Sequence, residues 1–181
     1  MTPVKAVFLD RDGTLIHDGP FLSDPEGIRF LPGVLEGLRA LKEDGFALVL
    51  VTNQSGIGRG LFTEETLAEI HGRLREILEK NGSPLDAIYF CPHAPGDECE
   101  CRKPKSTLFK RAIQEHGIDP ALSFAIGDRI RDTEPAGEVG CRTVLIGEAP
   151  EGERVDYAAP DFQDAARWIV RESRLQLQKD F

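Results

Sequence analysis

Residues 6–14 read AVFLDRDGT, and the fold is decided there. Ala6-Val7-Phe8-Leu9 is a continuous apolar run, as expected of a parallel strand buried on both faces, and it stops at two aspartates on a glycine turn. The same plan recurs downstream. Phe46–Val51 (FALVLV) ends at Thr52-Asn53-Gln54-Ser55, Ala87–Phe90 (AIYF) at Cys91, and Phe124–Ile126 (FAI) at Gly127-Asp128-Arg129; Thr143–Ile146 is a fifth run. Helical patterns lie between them. Val34, Leu35, Leu38 and Leu41 share one face, as do Leu67, Ile70, Leu74, Ile77 and Leu78; Leu108, Ala112 and Ile113 suggest a third helix, and Ala165, Ala166, Ile169 and Val170 a last one. Thr63 is placed to cap the second helix, and Gly45 and Gly82 sit where the first two should stop. Strands alternating with helices imply a Rossmann-like α/β fold, a parallel sheet flanked by helices. Ligands bind such sheets beyond the carboxyl ends of the strands, so the residues closing each run should share one site.

The 181 residues suit a single domain spanning 1–181. A net charge of −9 argues against nucleic acid, whose phosphates need a basic face. No apolar run approaches a membrane span, and the N-terminal MTPVKAVFLDRDGT lacks a signal-peptide plan. A cytoplasmic protein without a membrane partner is expected, most simply a monomer, with its four cysteines in a reducing setting.

Asp10 and Asp12 follow the first run and Asp128 follows the fourth. Carboxylates converging on one point repel each other unless a cation lies between them, and hard oxygen donors suit Mg²⁺. The expected magnesium ligands are therefore Asp10, Asp12 and Asp128. Asp10 is then positioned as a nucleophile toward a phosphoryl group, and Asp12 as the acid that protonates a leaving alcohol and later activates water. An acidic surface turn is the competing explanation for DRDG taken alone. Asp132, four residues after Asp128, is expected to support the site or cap a helix, with Pro135 in that helix's first turn.

Cys91-Pro92-His93 and Cys99-Glu100-Cys101 put three cysteines and a histidine into eleven residues, followed at once by Arg102 and Lys103. Four N/S ligands suit a closed, structural zinc site. A disulfide, or incidental cysteines beside a catalytic His93, are the alternatives. A metal there would fix a polar loop and with it the basic pair. Cys141 reads as a core cysteine, and His71, beside Arg73 and Arg75 on its helix, as exposed.

FLDRDGTL, LVTNQSG, RKP and IGDRIRD resemble, in order, the four motifs of the haloacid dehalogenase (HAD) superfamily of phosphohydrolases. The resemblance covers Val4 to about Gly147. It implies the HAD fold, catalysis by Asp10, Asp12, Thr52 and Lys103, with Thr52 holding a phosphoryl oxygen and Lys103 as the cation, and Asp128 completing the Mg²⁺ site. The loop CPH…CECRKP is similar to that of the D-glycero-D-manno-heptose 1,7-bisphosphate 7-phosphatases and of histidinol-phosphate phosphatase domains, which implies Zn²⁺ on Cys91, His93, Cys99 and Cys101. No segment is long enough for a large cap domain, so a small phosphorylated sugar in an open site is expected. Its 7-phosphate would leave by way of an aspartyl-phosphate, with histidinol phosphate or another small ester as the alternative substrate and a phosphotransfer or binding module as a different class. Asp18, Asn53, Gln54, Ser55, Arg102 and Arg129 are the expected substrate contacts, the two arginines for a distal phosphate or sugar hydroxyls. Asp18-Gly19-Pro20-Phe21 departs from the His-Gly-Tyr-like segment usual in the heptose enzymes, and Arg129 stands where lysine is common.

Overall fold

A computed structural model describes residues 3–179. Its sheet has six strands, β1 (Ala6–Leu9), β2 (Ala47–Asn53), β3 (Ala87–Cys91), β4 (Phe124–Gly127), β5 (Arg142–Ile146) and β6 (Tyr157–Ala159). All pairs are parallel and the order is β3-β2-β1-β4-β5-β6. The five expected runs are all strands. The sixth is a three-residue edge strand, YAA, too short and too exposed to leave an apolar signature.

Six α-helices complete the fold: α1 (Val34–Glu43), α2 (Ser55–Gly58), α3 (Glu64–Lys80), α4 (Thr107–His116), α5 (Ile130–Glu138) and α6 (Phe162–Lys179). The period of two along β1 sorts them into layers. Val7 and Leu9 face one cluster with Leu38, Leu41, Ile70, Leu74, Ala165 and Ile169, which places α1, α3 and α6 on that side. Ala6 and Phe8 face the other, with Leu108, Phe109, Ala112 and Ala136 of α4 and α5. Thr63 accepts the Thr66 amide at 3.2 Å and caps α3 as expected. Asp132 is not a cap: Arg129 holds the N-cap position and Asp132 lies inside the first turn of α5, because the chain turns into helix as soon as β4 ends.

Chain direction reverses its spatial order at β1, which lies between β2 and β4. A crevice opens at such a switch point, at the carboxyl ends of the strands. Leu9, Leu50 and Ile126 are in register there, so Asp10, Thr52 and Asp128 follow three neighbouring strands to one edge.

Candidate active site and cysteine cluster

Asp10 leaves β1 with its amide bonded to the Ile126 carbonyl at 3.2 Å, which fixes the start of the turn. Gly13 closes that turn at φ +82°, and a Cβ there would come within 2.8 Å of Asp128 Cγ. The turn therefore demands glycine twice, for its left-handed backbone and for the approach of Asp128. The carboxylates of Asp10, Asp128 and Asp132 gather within 4.8 Å of one another. Lys103 reaches the same point, its Nζ 2.7 Å from Asp10 Oδ1, 2.8 Å from Asp132 Oδ1 and 2.8 Å from the Val51 carbonyl oxygen.

Lys103, with Arg129 3.6 Å from Asp128 at the edge, leaves three carboxylates underbalanced. Burial pushes the Asp10 carboxyl up to about 7, against the pull of Lys103 and with the push of Asp132. Asp128 is raised too, by burial and by Asp132. Burial alone would lower the Lys103 ammonium, but Asp10 and Asp132 reverse this and hold it above its ordinary value. The cluster thus has excess negative charge and hard oxygen donors, which fits a magnesium ion.

Asp12 takes another path. Its two oxygens accept from Arg11 at 3.0 and 3.1 Å, and Oδ2 also accepts from Gln54 Nε2 at 2.9 Å. Its carboxylate is not part of the three-carboxylate group; Asp132, expected only in support, stands there instead. Arg11 is 1% exposed and its Nη2 also donates to Gln54 Oε1 at 2.9 Å. Gln54 donates in turn to Thr52 Oγ1 at 2.9 Å, so the buried threonine hydroxyl at the end of β2 belongs to the same network. His71 closes it from behind, its Nε2 3.5 Å from Arg11 Nη1. The exposed position expected for His71 is wrong. It is only 7% exposed, because it lies four residues after Leu67 and three before Leu74 on the buried face of α3. Burial, then the charges of Arg11 and Arg75, push its ring down to about 3.

Asn53 clamps the Lys103 peptide, accepting its amide at 3.0 Å and donating to its carbonyl at 3.2 Å. The other expected contacts, Asp18, Gln54, Ser55, Arg102 and Arg129, line an open cleft of about 350 Å³ above the carboxylates. Arg129 pairs with Asp18 at 2.9 Å across the mouth, and Arg102 donates to the His93 carbonyl at 3.1 Å. Arg59, Arg131 and Phe21 also line it and were not expected. Arg131 lies within IGDRIRD and Phe21 within the Asp18–Phe21 segment, but no spacing in a single sequence marks either of them, or Arg59, as part of the lining.

Cys91, His93, Cys99 and Cys101 form the second ligand cluster. Sγ of Cys91 is 3.0 Å from that of Cys101 and 3.8 Å from that of Cys99, and His93 Nδ1 is 3.5 Å from Cys91 Sγ and 3.2 Å from Cys101 Sγ. Ligand atoms of a tetrahedral zinc with ~2.3 Å Zn–S bonds are about 3.7 Å apart, so this set is close to closing on one ion. None of these cysteines is joined in a disulfide, and three of them face His93 as a four-ligand set. Burial pushes Cys91 up to about 12, with a further push from Cys101, so this thiol would need a cation to become a ligand. The loop grips its neighbours: the Gln54 amide donates to the Cys91 carbonyl and the Gly58 amide to that of Pro92, both at 2.8 Å. The cysteine loop therefore holds the 54–59 turn as well as Lys103.

A family model described as HAD-hydrolase-like matches residues 100–165. The chain is 46% identical over 179 residues to a D-glycero-β-D-manno-heptose-1,7-bisphosphate 7-phosphatase of Yersinia pestis, covering 92% of this chain and 90% of that one. It is 44% identical to the same enzyme of Haemophilus influenzae, covering 92% and 97%. Among solved structures, D,D-heptose 1,7-bisphosphate phosphatase of B. bronchiseptica, in complex with magnesium and phosphate, superposes with a TM-score of 0.83 at 35% identity, over 93% of this chain and 99% of that one. With this likeness running along nearly its whole length, the chain belongs to the HAD-like family of D-glycero-D-manno-heptose-1,7-bisphosphate 7-phosphatases.

Proposed function

We propose that the chain is a magnesium-dependent phosphomonoesterase of carbohydrate metabolism that removes the 7-phosphate of D-glycero-D-manno-heptose 1,7-bisphosphate through an aspartyl-phosphate. The observation that carries this reading is the floor of the cleft, where Asp10 lies 2.7 Å from Lys103 and beside Asp128 and Asp132, below a rim of arginines. Asp10 attacks phosphorus and the sugar oxygen leaves. Asp12 gives that oxygen its proton and later takes one from the water that hydrolyses the acyl phosphate. Thr52 and Lys103 hold phosphoryl oxygens, and Asn53 keeps the Lys103 backbone in place. Asp10, Asp128 and Asp132 would hold Mg²⁺, which when bound offsets the crowded carboxylate charge and the charge of the transferring group. Cys91, His93, Cys99 and Cys101 would hold a structural Zn²⁺.

The test is phosphate release with Mg²⁺ from both anomers of the heptose bisphosphate, fructose 1,6-bisphosphate, histidinol phosphate and an aryl phosphate. A preference for one heptose anomer, lost in Asp10→Asn with the fold intact, is the expected result. A preference for histidinol phosphate, or turnover surviving in Asp10→Asn, would overturn it.

A further inference from the structure

Among the described arginines and lysines only Arg11 and Lys103 are buried, at 1% and 2% exposure. Taking such a cation out of water is costly unless its donors find partners. For Lys103 the partner that makes burial tolerable is Asp10, at the reacting centre. For Arg11 it is Asp12.

The Arg11 side chain is fixed along its whole length. Its carbonyl accepts the amides of Leu15 and Ile16 at 2.9 and 3.1 Å, which pins the backbone in the turn after β1. Nε donates to Asp12 Oδ2 at 3.1 Å and Nη2 to Asp12 Oδ1 at 3.0 Å, a two-point fork on one carboxylate. Nη2 also donates to Gln54 Oε1 at 2.9 Å, and Nη1 lies 3.5 Å from His71 Nε2. The His71 ring, pushed down to about 3 by burial, Arg11 and Arg75, stays neutral and can accept there.

The two oxygens of Asp12 are not equivalent. Oδ2 accepts from Arg11 Nε and from Gln54 Nε2 at 2.9 Å, which fills both of its lone pairs. Oδ1 accepts from Arg11 Nη2 alone among the described residues and keeps one lone pair. The Asp12 side chain is 26% exposed and lines the cleft. A proton on Oδ1 leaves both bonds of Oδ2 intact, so the group can give and take a proton without turning.

We propose that Arg11 is a positioning residue for Asp12: its buried fork, braced by Gln54 and His71, holds the carboxylate so that Oδ1 carries the proton in both halves of the reaction. This role rests on the proposed reading of Asp12 as acid and base. In the first half the Asp10 carboxylate bonds to phosphorus, the bond from phosphorus to the sugar oxygen breaks, and the proton on Oδ1 passes to that oxygen. In the second half a water oxygen bonds to phosphorus, the acyl phosphate bond breaks with its electron pair returning to Asp10, and a water proton returns to Oδ1.

The test varies the leaving group. A sugar alkoxide needs a proton as it departs, and a nitrophenolate does not. kcat/KM, which reports the steps through phosphoryl transfer to Asp10, is measured for heptose 1,7-bisphosphate and nitrophenyl phosphate in the wild type, Asp12→Asn, Arg11→Lys and Arg11→Gln, with urea midpoints as a check on folding. Arg11→Lys keeps the buried charge and removes the fork. Both Arg11 variants should lose on the order of 10- to 100-fold on the heptose bisphosphate and less than ~3-fold on nitrophenyl phosphate. Their first turnover of nitrophenyl phosphate should release a burst of nitrophenolate matching the enzyme concentration, because water attack on the aspartyl-phosphate then lacks a well-placed base. Equal losses on the two substrates, or none on the sugar, would overturn the role, since a residue that only supports the fold does not distinguish leaving groups. A second readout needs no Arg11 variant. In spectra of protein carrying nitrogen-labelled arginine, the Arg11 Nε–H should be protected from exchange and should shift in Asp12→Asn; rapid exchange in the wild type would overturn the fork whether or not the Arg11 variants fold. Asp12→Asn with full turnover of the heptose bisphosphate would instead refute the acid–base reading itself, and that shows before any Arg11 variant is made.

Discussion

Acid should destabilise this protein through His71, a residue that touches no reacting group. The ring is buried against the Arg11 guanidinium, and burial, Arg11 and Arg75 together push it from 6.5 down to about 3. A base whose folded pKa lies below its unfolded value contributes stability that is complete above the unfolded value and is lost as the pH falls toward the folded one. The window here runs from 6.5 down to about 3. Between pH 7 and pH 5 the unfolded chain goes from about a quarter protonated to almost fully protonated at this site while the folded chain hardly changes, so about 2 kcal/mol is lost. The figure is insensitive to the folded pKa as long as that stays below ~4. The assay is urea unfolding at pH 7, 6 and 5 for the wild type and His71→Gln, whose amide oxygen can still accept from Arg11. Every other titrating group cancels in the comparison, and the wild type should lose about 2 kcal/mol more than the variant. Losses equal to within ~0.5 kcal/mol would mean that His71 titrates normally in the folded protein, and the buried Arg11–His71 contact would have to be abandoned.

Gly58→Ala places a Cβ 2.5 Å from the Ala94 amide nitrogen and 2.9 Å from the Pro92 carbonyl oxygen, so the 54–59 turn must move off the cysteine loop. About 1–3 kcal/mol of stability and part of kcat/KM should go with it, read by urea unfolding and phosphate release; wild-type values for both would disprove the docking role. Lys103→Met leaves Asp10 and Asp132 buried without a cation, at a cost of ~3–5 kcal/mol at pH 8 in metal-free buffer. The loss should shrink at pH 5, because without the pull of Lys103 the buried Asp10 carboxyl rises further and holds a proton there, and turnover should fall by ~100-fold or more at either pH. Stripping the metal from the Cys91–Cys101 cluster with a chelator, then restoring Mg²⁺, should raise hydrogen exchange across residues 91–105 and lower kcat while the sheet stays protected; full activity in protein shown by elemental analysis to lack zinc would rule out a structural ion there.

Much of this site is visible in the sequence because a parallel sheet is a simple ruler. An apolar run such as Ala6–Leu9 must be buried on both faces, its end must lie at the carboxyl edge, and whatever follows must point into the crevice. Asp10, Thr52 and Asp128 were placed in this way, whereas Lys103 came from the likeness of RKP to a family motif; in the structure Asp10 and Asp128 share one group and Lys103 reaches Asp10 at 2.7 Å. The cysteine loop was equally legible, since its four ligand residues lie within eleven positions and can converge by local turns alone. The signal for His71 was present but outweighed by its charged neighbours. Its spacing from Leu67 and Leu74 put it on the buried face, and the buried partner that makes this tolerable, Arg11, comes from a turn sixty residues earlier.

The sequence by itself determined the strand order's raw material, the strand-ending motifs and the local ligand cluster, because each depends on neighbours a few residues apart. Tertiary structure alone decided which way the side chains turn. Asp12 faces Arg11 and Gln54 while Asp132 joins Asp10 and Asp128, and Phe21 meets Arg59 across the mouth of the cleft. Each of those pairings crosses between elements or depends on what else occupies the same few ångströms. Charge balance and steric fit settle it only once the loops at the ends of β1, β2 and β4 have been brought to one point.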